Sequence, residues 1–304
     1  MNEGQQFEKL ARRVKWRRWL ITIGLIVAVV IGLGAAFIQM TRVKSQAASD
    51  EANRSFELVN TVLSPNIQIS DQYLQNSDFF GGTLVSHRYK DIDGARIAWS
   101  ENRAPYTWML GSNANAFNTT DTTTTAAYDR DTQQKIPLFY NVNVAKPEVK
   151  RAQEVRQVVR QKNYRAEVAL TFKQPLTLKQ IQAKLPAGVH ANWYWAGVSG
   201  KADATVMDNN FVGIQADGNH QPTTATYKWF RKEVRSVPSG MMTFNNFNVM
   251  ACANRFIKRY PQLNEAKFSG VIVTGNSEAF KPLVQANWLD ASSVGYFQPR
   301  TGIK

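Results

Sequence analysis

From Trp19 to Thr41 the chain runs for 23 residues without a charged side chain. No other feature restricts the fold as much. As a helix rising about 1.5 Å per residue, the run spans roughly 34 Å, against about 30 Å for the hydrocarbon core of a bilayer. Twelve residues of Leu20–Ile38 are Leu, Ile, Val or Phe. At roughly −0.3 to −0.6 kcal/mol each near the centre of a span, they outweigh the Gly and Thr residues among them. The run reads as a transmembrane helix. The alternative, a cleaved signal peptide, needs an apolar region of only about 7 to 15 residues that ends at a small-residue site. This run is longer and ends in Phe37, Ile38, Gln39 and Met40, with a weak Ser45-Gln46-Ala47 site some way beyond.

The flanking charges orient it. Arg12, Arg13, Lys15, Arg17 and Arg18, with Lys9 before them, precede the run, and only Arg42 and Lys44 follow closely. The positive-inside rule therefore places residues 1–18 in the cytoplasm, 19–41 across a cell membrane and Asn53 onward outside. Residues 42–63 continue as a helical stalk with Ala47, Ala48, Ala52, Phe56, Val59 and Val62 as apolar points. Trp16 and Trp19 suit the inner interface. Phe7, Leu10, Ala11 and Val14 fall at i, i+3, i+4 and i+7, one helical face. Eighteen residues are too few for a self-standing domain. That face either docks in a partner's groove or lies on anionic lipid, with the five clustered cations at the headgroups. Gly24, Ala28, Gly32 and Ala36 recur every four residues, a small-residue stripe suited to pairing with a second copy or another membrane protein.

The net charge is +14, of which the first 18 residues supply +4 through six basic and two acidic side chains. The remaining +10 faces the outside. There the counter-surfaces are anionic lipid and wall polymer, and no nucleic acid is expected. Cys252 is the single cysteine, so an internal disulfide is excluded. A large disulfide-free outer region fits a bacterial envelope, the Gram-positive one above all. Cys252 itself sits at the edge of a helical apolar stripe and reads as a packed thiol.

After the stalk, "NIQIS" and "TLVSHRY" alternate as strands, and Gly81-Gly82 and Asp93-Gly94 supply turn chemistry with positive φ. These open a first outer region, 64–165. Within it, residues 111–131 are rich in Asn and Thr and read as a mobile loop. "KIPLFYNVNV" reads as a strand, and the segment from Pro147 to Lys162 as a polar helix with Val149, Val155, Val158 and Val159 inward. A second outer region, 166–304, is more regular. "AEVALTF" and "VHANWYWAGV" are strands around a helix "TLKQIQAKLP" with a Thr177/Gln180 capping box. "FSGVIVT", "SEAFKPLVQ" and "ASSVGYF" repeat the strand–helix–strand order. "NNFVGIQ" adds a strand, and Phe244–Tyr260 a helix with Val249, Met250, Ala253, Phe256, Ile257 and Tyr260 on one face. The expected fold class is α+β, with the two units forming a ferredoxin-like sandwich.

No constellation of catalytic residues emerges. His87, His190 and His220 stand apart in sequence, and none has zinc-ligand spacing. There is no GxSxG. "GVSGKA" lacks the first glycine and the hydroxyl residue of a phosphate loop, and "DIDG" fits a hairpin turn better than a calcium loop. No metal, cofactor or enzymatic activity is expected. In "NWYW", alternation puts Trp193 and Trp195 on one sheet face, either as core packing against a helix or as a stacking platform for a glycan or peptide.

"FEKLARRVKWRRWLITIGLIV" resembles the N-terminal module of the bacterial sigma factor regulator family, membrane-bound anti-sigma factors of Gram-positive bacteria. "SPNIQIS", "FFGGTLVSHRYKDIDGARIAW" and "IPLFYN" resemble the segments that follow. "ALTFKQPLTLKQIQAKLPAGVHANWYWAGV" and "FSGVIVTGNSEAFKPLVQANWLDASSVGYF" resemble the two ends of that family's C-terminal domain. The resemblance implies a single-pass regulator restraining an extracytoplasmic-function sigma factor in response to an envelope signal, and it carries no catalytic residues. The alternative is a non-signalling envelope module that holds anionic wall polymer or lipid through its basic exterior.

Overall fold

The computed structural model describes residues 3–112, 120–205, 211–237, 243–244 and 247–300. It is α+β, with one long apolar N-terminal helix ahead of two main sheets. Helix α1, Glu3–Val62, runs unbroken for 60 residues, roughly 90 Å. It has no proline, and Pro65 follows its end. Its apolar window is fully exposed, long and apolar enough to cross a membrane.

The stalk is not free-standing. From Thr41 the helix gains a buried side made of Thr41, Ser45, Ala48, Ser49 and Ala52, then Phe56, Val59 and Val62. Its first five residues are small, so a sheet can lie close against the backbone. That sheet is an antiparallel meander of β1 (Gln68–Gln75), β2 (Gly81–Ile92), β3 (Ala95–Thr107) and β4 (Gly111–Ser112). Ala52 and Phe56 of the helix pack with Leu84 and Ala104 of the sheet. Asp93 and Gly94 join β2 to β3 with φ of 52° and 80°, and Ile92 pairs with Ala95. This is the two-residue turn that matches strand twist. The β1–β2 turn departs from expectation. Its left-handed residue is Asn76, while Gly81 and Gly82 already belong to β2. Gly81 is needed for space: a Cβ there would sit 2.1 Å from the Tyr106 carbonyl oxygen.

Three segments of the first region also differ from their sequence reading. Within 111–131, β5 (Thr120–Thr122) pairs with β6 (Ala127–Asp129), which pairs with β7 (Lys135–Ile136) in a small sheet, and 113–119 lie outside the described residues. Its Asp129 is buried and accepts the backbone N–H of Thr132 at 2.8 Å, so polar side chains here organise a turn. Past Ile136 the expected strand gives up its ladder. Pro137 lacks an N–H, and Leu138, Phe139 and Tyr140 bury their side chains instead. The expected 147–162 helix is a single turn, α2 (Val155–Val158). The backbone before it pairs with the last strand, Ser292 N–H to Ala152 O at 2.9 Å and Glu154 N–H to Ser292 O at 2.9 Å. Val149, Val155 and Val158 are still buried, but Val149 comes from a bend ahead of the helix.

The second sheet follows: β8 (Tyr164–Thr177), α3 (Leu178–Lys184), β9 (Val189–Trp195), β10 (Gly213–Gln215), α4 (Thr224–Ser236), the short pair β11 (Thr243–Phe244) and β12 (Phe247–Asn248), α5 (Val249–Arg259), β13 (Lys267–Asn276) and β14 (Leu289–Pro299). A 3-10 helix, Ser277–Gln285, joins the last two strands. The α3 capping box forms as expected. The strand order is β10-β9-β13-β8-β14, each pair antiparallel. The two strand–helix–strand units thus interleave. Helix α5 begins at Val249 rather than near Phe244, because Asn248 caps it through the Ala251 N–H at 2.6 Å. Helix α4 has no counterpart in the sequence reading, although Tyr227, Phe230 and Val234 give it a buried stripe.

Alternation along the strands makes two cores. Val168, Leu170, Val271 and Val273 face a core with α3, α4 and α5, which the end of α1 joins through Leu58, Val62 and Leu63. Ala169, Ile272, Trp193 and Trp195 face the other way, onto Phe139, Tyr140, Ile67 and Trp99 of the first region. The tryptophans are core, stacked on Phe139 at 4.8 Å for Trp195. They are covered by an extended segment, not by a helix.

Candidate functional site

At the N-terminal end of α1, Phe7, Leu10, Ala11 and Val14 come to one side and line a shallow groove with Lys15, Arg18 and Trp19. All of them are exposed. Arg12, Arg13 and Arg17 are exposed around the same turns, so the apolar stripe is edged by cations. Farther along, a Cβ placed on Gly24 or Gly32 would meet nothing within 4 Å, and Ala28 and Ala36 are equally exposed, so the stripe they share is open along the span.

The other end of α1 is held by a buried charge pair. Lys90 Nζ on β2 lies 3.0 and 3.1 Å from the carboxylate oxygens of Glu167 on β8, with side chains 2% and 0% exposed. Asn66, just past α1 and in a left-handed conformation, donates to the same carboxylate at 2.7 Å. The ammonium also lies 4.0 Å above the Trp99 ring. Gly295 leaves room for the pair: a Cβ there would come within 2.5 Å of Glu167 Oε2. Helix, first sheet and second sheet therefore meet at one point. Sequence reasoning passed over both residues, yet a signal was present. Leu84, Ser86, Arg88, Lys90 and Ile92 share one strand face, and all are buried.

A polar cavity of about 620 Å³ lies between the β2–β3 turn and the edge of the second sheet. His190 and His220, 30 residues apart in sequence, stack there at 4.4 Å between ring centroids. Asp91, Asp93, Asn192 and Asp217 line it with them. Asp93 is paired with Arg300 at 2.9 Å. Burial, then the neighbouring His190, lower the His220 pKa, while Asp217 and Asp91 pull it back up. His220 is left-handed, and its carbonyl accepts from the Tyr194 hydroxyl at 2.8 Å, which fixes the ring beside His190. His87 is elsewhere, between Asp71 at 2.6 Å and Glu101 at 3.0 Å on the first sheet. Among the described residues, no group of three or more His, Cys, Asp or Glu could hold a metal ion. Cys252 is buried, with its sulfur 3.3 Å from the Ser199 hydroxyl.

A helix long and apolar enough to cross a membrane, exposed at one end and built into an α+β domain at the other, is the architecture of a single-pass membrane protein. Family models say which kind. Residues 8–97 match the sigma factor regulator N-terminal model, and residues 160–296 match the sigma factor regulator C-terminal model. The two cover about three quarters of the chain, which belongs to the sigma factor regulator family and is a regulator of sigma factor activity, not one of a family of enzymes. The first match runs from the amphipathic turn through the span to the start of β3, and the second takes in the second sheet up to Tyr296 in β14. No curated protein and no solved structure matches the chain.

Proposed function

We propose that this protein is an anti-sigma factor that restrains an extracytoplasmic-function sigma factor at the inner face of a bacterial cell membrane, with its folded domain outside as the receiver of an envelope signal. The observation that carries the reading is the continuity of α1. One helix without a proline leads from the Phe7–Leu10–Val14 face to Leu58, Val62 and Leu63 in the core of the distal domain. A rearrangement of that domain displaces or rotates the helix as a rod. The excess of cations before the span supports an inward N-terminus. Phe7, Leu10, Ala11 and Val14 are the sigma-binding face, which seats in a hydrophobic groove as an amphipathic helix does. Arg12, Arg13, Lys15, Arg17 and Arg18 hold the same turns at anionic headgroups until the partner is engaged.

The experiment is Phe7→Asp and Leu10→Asp, each expressed at the normal membrane level. An unpaired carboxylate in an apolar groove costs several kcal/mol, enough to release the sigma factor and raise its regulon to the level of a gene deletion. An unchanged regulon in both variants, where deletion does raise it, refutes this face as the binding site. Fusion of a reporter active only outside the cell, after Lys304 or before Met1, tests the orientation.

A further inference from the structure

We infer that the first sheet docks on the bilayer, through two apolar turns that enter the leaflet at the C-terminal end of the span. The inference rests on the reading of α1 as a membrane span. The β1–β2 turn carries Phe79 and Phe80, and the β3–β4 turn carries Trp108, Met109 and Leu110. They are adjacent, the Trp108 N–H donating to the Phe80 carbonyl at 2.9 Å. Among the described residues outside α1, nine large hydrophobic side chains are exposed, and four of them are Phe79, Phe80, Met109 and Leu110. Met109 and Leu110 are 72% and 87% exposed. Single exposed apolar residues are ordinary, but a cluster on one end of a sheet marks a contact surface.

The helix says which surface. The Trp108 ring packs edge-on against Phe37 at 5.7 Å. Phe37 belongs to the uncharged run and lies five residues before Arg42, its first following charge. At 1.5 Å per residue, Phe37 is about 27 Å from Trp19, still within a hydrocarbon core of about 30 Å. The ring that touches Phe37 therefore reaches bilayer depth, while the turns themselves lie at headgroup level: Phe79 lines a crevice with Arg42, Ser45 and Ser49, and a Cβ on Gly111 would lie 3.5 Å from Glu51 Oε2. Arg42 sits more than one turn higher and lines a mixed crevice with Ser45, Ser49, Asp78, Phe79 and Tyr106, the polarity that suits the headgroup layer.

The backbone amides of both turns are satisfied from within, as the poorly hydrated headgroup layer requires, where a carboxylate is still tolerated. Asp78 accepts the N–H groups of Phe80 and Gly81 at 2.7 and 2.9 Å, and Thr107 accepts that of Leu110 at 3.0 Å. The opposite end of the sheet, at Asp93-Gly94, is polar and lies on the histidine cavity. Lipid thus holds one end of the sheet and the distal domain the other. The tilt of the domain on the membrane becomes a variable that bilayer composition can set.

The test uses the full chain in nanodiscs containing anionic lipid, in a Cys252→Ser background, with one environment-sensitive fluorophore at Leu110→Cys, Ala98→Cys or Val29→Cys. The label at 110 should be quenched by lipid brominated near the headgroup and be several-fold less accessible to aqueous iodide than the label at 98. Equal iodide access at 110 and 98, with the label at 29 quenched by deeply brominated lipid, overturns the docking but leaves the span intact. No quenching at 29 overturns the span and the docking with it. Protection at 110 that rises with the protein-to-lipid ratio assigns the turns to a second copy and also overturns the proposal.

Discussion

Removing one member of the Lys90–Glu167 pair should do more damage than removing both. Glu167→Leu leaves the Lys90 ammonium buried at 2% exposure, with only the Trp99 ring, 4.0 Å away, to meet it. A buried charge stripped of its partner typically costs about 3–5 kcal/mol. That is a fifth or more of the roughly 5–15 kcal/mol by which a domain is stable. Lys90→Met should cost somewhat less, because Asn66 still donates to the Glu167 carboxylate at 2.7 Å. The double variant Lys90→Met/Glu167→Leu desolvates no charge and should fall within about 2 kcal/mol of the parent. The assay is urea denaturation of the full chain in micelles, followed by tryptophan emission, since Trp99, Trp193 and Trp195 are all buried at this junction. With a slope of about 3 kcal/mol per molar urea, Glu167→Leu should lower the midpoint by roughly 1–1.7 M. Additive losses, with the double variant as unstable as the two singles together, would refute the view that the two charges act as a unit.

Gly32→Leu should weaken self-association of the span in a membrane assay and alter the regulon, while Val29→Leu, off the small-residue stripe, should change neither; equal association in both variants leaves the stripe without a role. Glu233 on α4 has its pKa raised by burial first and by Glu57 of α1 second, with Lys232 opposing. Its charged form therefore costs stability, a cost that grows as pH rises through its folded pKa, so Glu233→Gln should raise the melting temperature at pH 7 and make little difference at pH 4. A lower melting temperature at pH 7 would show that the carboxylate is stabilising. His220, lowered mainly by burial and then by His190, resists protonation in the fold, so the protein should lose stability as pH falls below the ordinary histidine value of about 6.5. His220→Asn, which suits the left-handed backbone there, should flatten that profile; an unchanged profile would place the acid sensitivity elsewhere.

What the sequence by itself determined is what short stretches decide by their own chemistry. An uncharged run of 23 residues must be a span-length helix, because apolar side chains and a self-satisfied backbone leave few other outcomes. Thr177 and Gln180 cap α3 from four residues of chain, and Asp93-Gly94 makes its turn from two. The facing of Trp193 against Tyr194 follows from the pleat. Tertiary structure decided everything that depends on a partner far along the chain. Val149–Val158 has the periodicity of a helix, but the hydrogen-bonding groups of Ser292 were there to be paired, and an extended backbone pairs them better than an isolated polar helix. Whether Trp195 was platform or core depended on Phe139, which arrives from 56 residues earlier. His190 met His220, and Lys90 met Glu167, only once two sheets had packed. The apolar turns at Phe79 and Leu110 look like ordinary loops in sequence, and it is the position of Phe37 beside Trp108 that puts them at the membrane. Local rules act through bonds and neighbouring side chains within a few residues, whereas a buried charge, a stacked ring or a docking face exists only after distant segments have excluded water between them.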